Sequence, residues 1–93
     1  MTQQTAANTL PTLLVVDDQP LNIQVLDHIF STDHHVLTAT GGAQALSMCA
    51  DQLPDLILLD VTMPDMSGHE VCRRLKADTR TRDIPIIFVT VHD

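Results

Sequence analysis

Three apolar runs in this chain end on residues that can hold a metal or a phosphate: Leu13–Val16 before Asp17-Asp18, Leu56–Leu59 before Asp60, and Ile86–Val89 before Thr90. One such ending means little, because Asp also caps helices. Asp18 alone serves equally well as the cap of a helix opening at Pro20. Three such endings on neighbouring strands of one parallel sheet would bring the side chains within a few ångströms, at the edge where open sheets bind ligands. Converging carboxylates repel one another, and without a counter-ion some stay protonated. All-oxygen ligation in a shallow, wet cup suits Mg²⁺, which keeps several waters and binds through one or two carboxylates plus a phosphate. Such an ion orients a phosphoryl donor, and a carboxylate beside it becomes a nucleophile able to form an acyl phosphate. Thr90 would offer a hydroxyl to a phosphoryl oxygen, and backbone N–H groups after Asp60 would offer others.

The elements that must position these groups are legible as alternating patterns. Leu13–Val16, Val36–Ala39, Leu56–Leu59 and Pro85–Val89 are short apolar runs without polar alternation, the mark of strands covered on both faces. Between them, Leu21, Val25, Leu26, Ile29 and Phe30 recur at helical spacing to about residue 31. Ala43, Leu46, Cys49, Ala50 and Leu53 form a second stripe closed by Pro54, and Val71, Cys72 and Leu75 a third, from about Ser67 to Ala77. Residues 61–68 carry the breakers of a loop. The order β-α-β-α-β-α-β predicts an α/β protein with a parallel sheet. Residues 1–12 are polar and small and predict a flexible tail before a single domain over 13–93.

Composition narrows the function. The 93 residues suffice for one domain, and a 44% apolar content with two Phe and no Trp or Tyr implies an aliphatic core. A formal net charge of −7 argues against direct nucleic-acid binding. No run is long enough to span a membrane, and the polar start lacks the apolar centre of a secretory signal. Cys49 and Cys72 sit in helix-like stretches as reduced core or boundary residues, which predicts a cytoplasmic protein. His28, His34 and His35 lack zinc spacing and predict surface positions. Arg73, Arg74, Lys76, Arg80 and Arg82 form a small basic group expected to solvate a face and offset helix-end carbonyls.

Three segments together carry a family resemblance: Leu-Leu-Val-Val-Asp-Asp-Gln-Pro at 13–20, Leu-Ile-Leu-Leu-Asp-Val-Thr-Met-Pro-Asp-Met-Ser-Gly at 56–68, and Ile-Pro-Ile-Ile-Phe-Val-Thr at 84–90. In this order they resemble the receiver domain of bacterial two-component response regulators. The resemblance implies a flavodoxin-like, doubly wound sheet that catalyses its own phosphorylation, with a sensor histidine kinase or phosphotransfer protein as donor and Mg²⁺ as cofactor. It implies Asp60 as phospho-acceptor and Asp17 and Asp18 as the acid pair, with Asp18 a direct metal ligand and Asp17 holding metal-bound water. Thr62 would give its backbone carbonyl to the metal, Pro64 and Gly68 would shape the loop, and Thr90 would be the switch hydroxyl. The family's fifth-strand lysine, its aromatic switch residue and its fourth and fifth helices have no match here. That predicts a truncated domain with strand order 2-1-3-4, slow phosphorylation, and self-association through an exposed fourth-strand edge. Two other functions stay open: an interaction module that is never phosphorylated, and a phosphohydrolase using Asp60. The second is disfavoured because Thr62 stands where such enzymes want a second acid.

Overall fold

The computed structural model describes residues 10–89. Four strands and three helices alternate: β1 (Thr12–Val16), α1 (Pro20–Phe30), β2 (His35–Ala39), α2 (Gly42–Gln52), β3 (Leu56–Asp60), α3 (Gly68–Ala77) and β4 (Ile86–Val89). All pairings are parallel, in the order β2-β1-β3-β4. The parallel sheet is the one expected from the alternation, and its order is the flavodoxin-like one that the resemblance implied. Of the predicted tail over 1–12, residues 1–9 lie outside the described residues, and β1 begins at Thr12, one residue before the boundary at 13.

The uninterrupted apolar strands are explained by burial on both faces. Leu13 to Val16 are almost completely shielded, and successive side chains serve opposite layers. Leu14, Val16, Ile57 and Leu59 pack with Ala45 and Cys49 of α2 and Val71 and Leu75 of α3. Leu13, Val15 and Leu58 pack under Ile23, Leu26 and Phe30 of α1. Burial pushes the Cys49 thiol up to about 11, which keeps it protonated and inert at neutral pH.

Two helical stripes differ from expectation. On α1 the side facing the sheet is Ile23, Leu26 and Phe30, while Leu21, Val25 and Ile29 are exposed. At 100° per residue these are two separate stripes, and apolar periodicity does not say which one meets the sheet. On α2 the buried positions are Gly42, Ala45 and Cys49 rather than Ala43 and Leu53. Leu53 ends α2 in the left-handed region (φ 48°, ψ 66°), with its side chain half exposed.

The third helix fits its pattern. Ser67 caps α3 by accepting a hydrogen bond from the Glu70 amide. Four of the five basic side chains are spent locally: Arg73 and Arg74 pair with Glu70, Arg80 pairs with Asp78, and Lys76 donates to the carbonyls of Arg82 and Ile84. Beyond α3, β4 lies at the edge of the sheet, with Ile87 50% and Phe88 38% exposed.

A left-handed Leu is costly where glycine is not. Leu53→Gly should therefore raise the free energy of unfolding by about 1 kcal/mol in urea titrations. Unchanged or lower stability would mean that the side chain contributes packing that its exposure does not suggest.

Candidate functional site

The strand order changes direction at β1: its crossover through α1 leads to β2 on one side, and β3 lies on the other. The carboxyl ends of β1 and β3 are therefore adjacent at a topological switch point, where open α/β sheets leave a crevice. The acids lie there. Asp17 extends the ladder past β1, its amide donating to Ala39 O at 3.0 Å. Asp60 is the last residue of β3.

The three carboxylates offer oxygens that all lie within 4.8 Å of one another, with Asp17 and Asp60 buried and Asp18 half-buried. Asp17 is held in place: its Oδ1 accepts from the Gln19 amide at 2.9 Å and its Oδ2 from Asn22 Nδ2 at 3.2 Å. The N-cap of α1 is Gln19, without a side-chain cap bond, so Asp18 is not the helix cap that its position before Pro20 allowed. Asp60 Oδ1 accepts from the Thr62 amide at 3.3 Å. Burial raises the Asp60 carboxyl above the usual carboxylate range. The Thr62 amide opposes that shift, while the charges of Asp17 and Asp18 and a hydrogen bond with Asp18 add to it. This donor set, hard oxygens of like charge turned to one point, fits a divalent cation of the Mg²⁺ or Ca²⁺ type.

The loop after Asp60 is shaped by a close approach. A Cβ on Gly68 would stand 2.2 Å from the Asp60 carbonyl oxygen, so only glycine fits there. The Gly68 amide donates to Val61 O at 2.7 Å, closing the loop on itself. Pro64 sits exposed within it, Thr62 is exposed beside Asp60, and Met63 is buried in the core. Thr90 lies outside the described residues. Among the described residues His28, His34 and His35 form no group able to share an ion; His34 instead bonds Asp33 and meets Phe30 edge-on.

Sequence reasoning missed Asp65. Its carboxylate reaches from this loop to the start of α2, where Oδ1 accepts from the Gly42 amide at 3.0 Å and Oδ2 from the Ala43 amide at 3.1 Å. The available signal was negative: a helix opening on Gly41-Gly42 has no side chain at its N-cap, so its free amides need an acceptor from elsewhere.

Residues 13–93 match the family of the response regulator receiver domain. The chain belongs to this family. The receiver domain is 48% identical over 82 residues to the response regulator PleD of Caulobacter vibrioides, covering 87% of this chain and 18% of that protein. Among solved structures it resembles the N-terminal domain of a response regulator receiver protein from Methanoculleus marisnigri. The TM-score is 0.85 at 38% identity, covering 90% of this chain and 69% of that one. It also resembles TrrA of Thermotoga maritima, solved in complex with Mg²⁺-BeF, with a TM-score of 0.79 at 31% identity over 89% of this chain and 71% of that one. No helix of the described residues is long and apolar enough to cross a membrane.

A carboxyl raised in the folded state favours folding while protonated. Its contribution is complete below the ordinary carboxylate value of about 4 and is lost as pH rises through the folded-state value. Without divalent cations, the receiver domain should therefore lose stability relative to Asp60→Asn as pH climbs from about 4 to 7. A stability difference that stays flat with pH, read from thermal melts, would contradict the burial of Asp60 beside the other two acids.

Proposed function

We propose that Asp60 accepts a phosphoryl group from a sensor histidine kinase or phosphotransfer protein in a Mg²⁺-dependent reaction. The observation that carries this reading is the placement of the Asp17, Asp18 and Asp60 oxygens within 4.8 Å at the switch point of the sheet. Asp17, Asp18, Asp60 and the backbone carbonyl of Thr62 would hold the ion. When bound, Mg²⁺ neutralises carboxylate charge and the charge that develops on the phosphoryl oxygens. An ionised Asp60 oxygen attacks phosphorus, the bond from phosphorus to the donor breaks, and the leaving group takes its proton from water. The product is an acyl phosphate. Gln19 and Asn22 hold the Asp17 carboxylate at the cup, where it would bind the ion through water. The Thr62 amide already donates to Asp60 and directs one oxygen of the nucleophile. Pro64 and Gly68 keep the loop in the turn that places this amide, and Thr90 is assigned the switch hydroxyl. The natural setting of such a donor is the cytoplasm.

One charge is left over. Three carboxylates and one divalent ion sum to −1, and the chain's single lysine, Lys76, is engaged with the Arg82 and Ile84 carbonyls. No ammonium from the described residues can reach the phosphoryl group, so this 93-residue chain should react slowly.

Incubation with acetyl phosphate, followed by intact-mass spectrometry, tests the proposal. The expected result is a slow, Mg²⁺-dependent gain of one phosphoryl group that Asp60→Asn abolishes. No gain from folded protein, or an undiminished gain in the variant, would refute it.

A second reading, an interaction module that needs no phosphate, is favoured by the exposed Ile87 and Phe88 on the edge strand β4. It predicts self-association through that edge, visible as a concentration-dependent mass in sedimentation equilibrium and unchanged by Asp60→Ala. A monomer at all concentrations would dismiss it.

A further inference from the structure

The loop from Val61 to Ser67 is tied down at several points. The Gly68 amide closes it on Val61, Met63 anchors it in the core, and Ser67 hands it over to α3. Its outer part is held by Asp65, which bonds to a different element, the start of α2. We propose that Asp65 is a positioning residue for the acid cup, clamping the Asp60 loop to α2 so that the Thr62 amide and carbonyl stay directed at the metal and the phosphoryl group. This rests on the reading of Asp60 as phospho-acceptor.

The geometry is specific on both sides of the clamp. The carboxylate meets two consecutive free amides at the positive end of a helix, an arrangement favourable to negative charge. Those two amides, Gly42 first, hold the Asp65 carboxyl below the usual carboxylate range, so it is charged at neutral pH. The facing glycines permit the close fit. A Cβ on Gly41 would lie 3.1 Å from Asp65 Oδ1, and one on Gly42 would lie 2.8 Å from Met66 Cβ and 2.9 Å from Val71 Cγ2. The start of α2 therefore lies flush on the loop and on α3. Only Met63 and Pro64 lie between Thr62 and Asp65, so a tether at Asp65 limits the reach of the backbone that carries the Thr62 amide.

Asp65 could act only as a distant cap for α2, and the discriminating variant exploits that. Gly41 is extended (φ −162°, ψ 170°), a backbone that an ordinary N-cap residue adopts. In Gly41→Asp combined with Asp65→Ala, α2 receives a local cap and the loop loses its tether. The cap replaces a carboxylate that stood where the new side chain needs room.

The experiment compares the wild-type chain, Asp65→Ala, Asp65→Asn and the double variant. It reads melting temperature, backbone order of the Thr62 and Met63 amides by ¹⁵N relaxation, and Mg²⁺ affinity by calorimetry. Asp65→Ala should lower the melting temperature, loosen Thr62 and weaken Mg²⁺ binding roughly tenfold, the scale seen when groups that orient metal ligands are removed. Asp65→Asn keeps one acceptor oxygen and should fall between, and it replaces the Ala variant if that one does not fold. The double variant should regain melting temperature but neither Thr62 order nor Mg²⁺ affinity. Recovery of all three together would reduce Asp65 to a helix cap and overturn the proposal, as would unchanged Thr62 order in Asp65→Ala. If the wild-type chain binds no Mg²⁺, the reading of Asp60 fails, and Thr62 order still decides the role of Asp65.

Discussion

Everything in this structure turns on three negative charges held where they repel. At 4.8 Å, the outer limit for oxygens of these three acids, two unit charges oppose each other by about 3–4 kcal/mol at an effective dielectric of about 20. A chain under pressure only to fold would not gather Asp17, Asp18 and Asp60 at one point, two of them shielded from water. Burial raises the Asp60 carboxyl first, and the charges of Asp17 and Asp18 raise it further. A divalent cation would turn the same arrangement from a cost into a binding site, and on that proposal the electrostatics and the receiver family membership lead to one account.

The rest of the fold keeps the charges together. Parallel pairing of β1 with β3, in register from Leu13↔Leu56 to Val16↔Leu59, puts Asp17 and Asp60 at the same level of the sheet. Leu14, Val16, Ile57 and Leu59 on one face and Leu13, Val15 and Leu58 on the other make those strands hard to shift. A slip of one residue would exchange the two faces and part the acids. Beyond the strands, backbone and side-chain bonds take over. Gln19 and Asn22 fix Asp17, Gly68 admits the Asp60 carbonyl, and Asp65 ties the loop to the next helix.

Much of this was legible in the sequence because it depends on local pattern. Continuous apolar runs ending in Asp17 and Asp60 fixed the strands, their buried character and the level of the acids. Ser67 announced the start of α3, and Val71 with Leu75 its buried side. What stayed hidden depends on the partner rather than the pattern. Leu21, Val25 and Ile29 are as apolar as Ile23, Leu26 and Phe30, and only docking on the sheet separates them. Leu53 enters the left-handed region because α2 must stop before the buried Pro54, against the preference of its own side chain. Asp65 reaches amides more than twenty positions away in the chain, a bond that no local pattern encodes. Asp18 had two readings at the outset, and the absence of a side-chain cap bond on α1 leaves it to the cup.

The central claim is that one divalent cation relieves the crowding of Asp17, Asp18 and Asp60. Thermal unfolding at pH 7 across a Mg²⁺ titration, with ionic strength held constant by NaCl, tests it most directly. The account predicts a melting temperature that rises with Mg²⁺ according to single-site binding to the folded state, and a smaller rise in Asp60→Asn. A wild-type melting temperature that follows ionic strength alone, with Mg²⁺ no better than Na⁺, would contradict it.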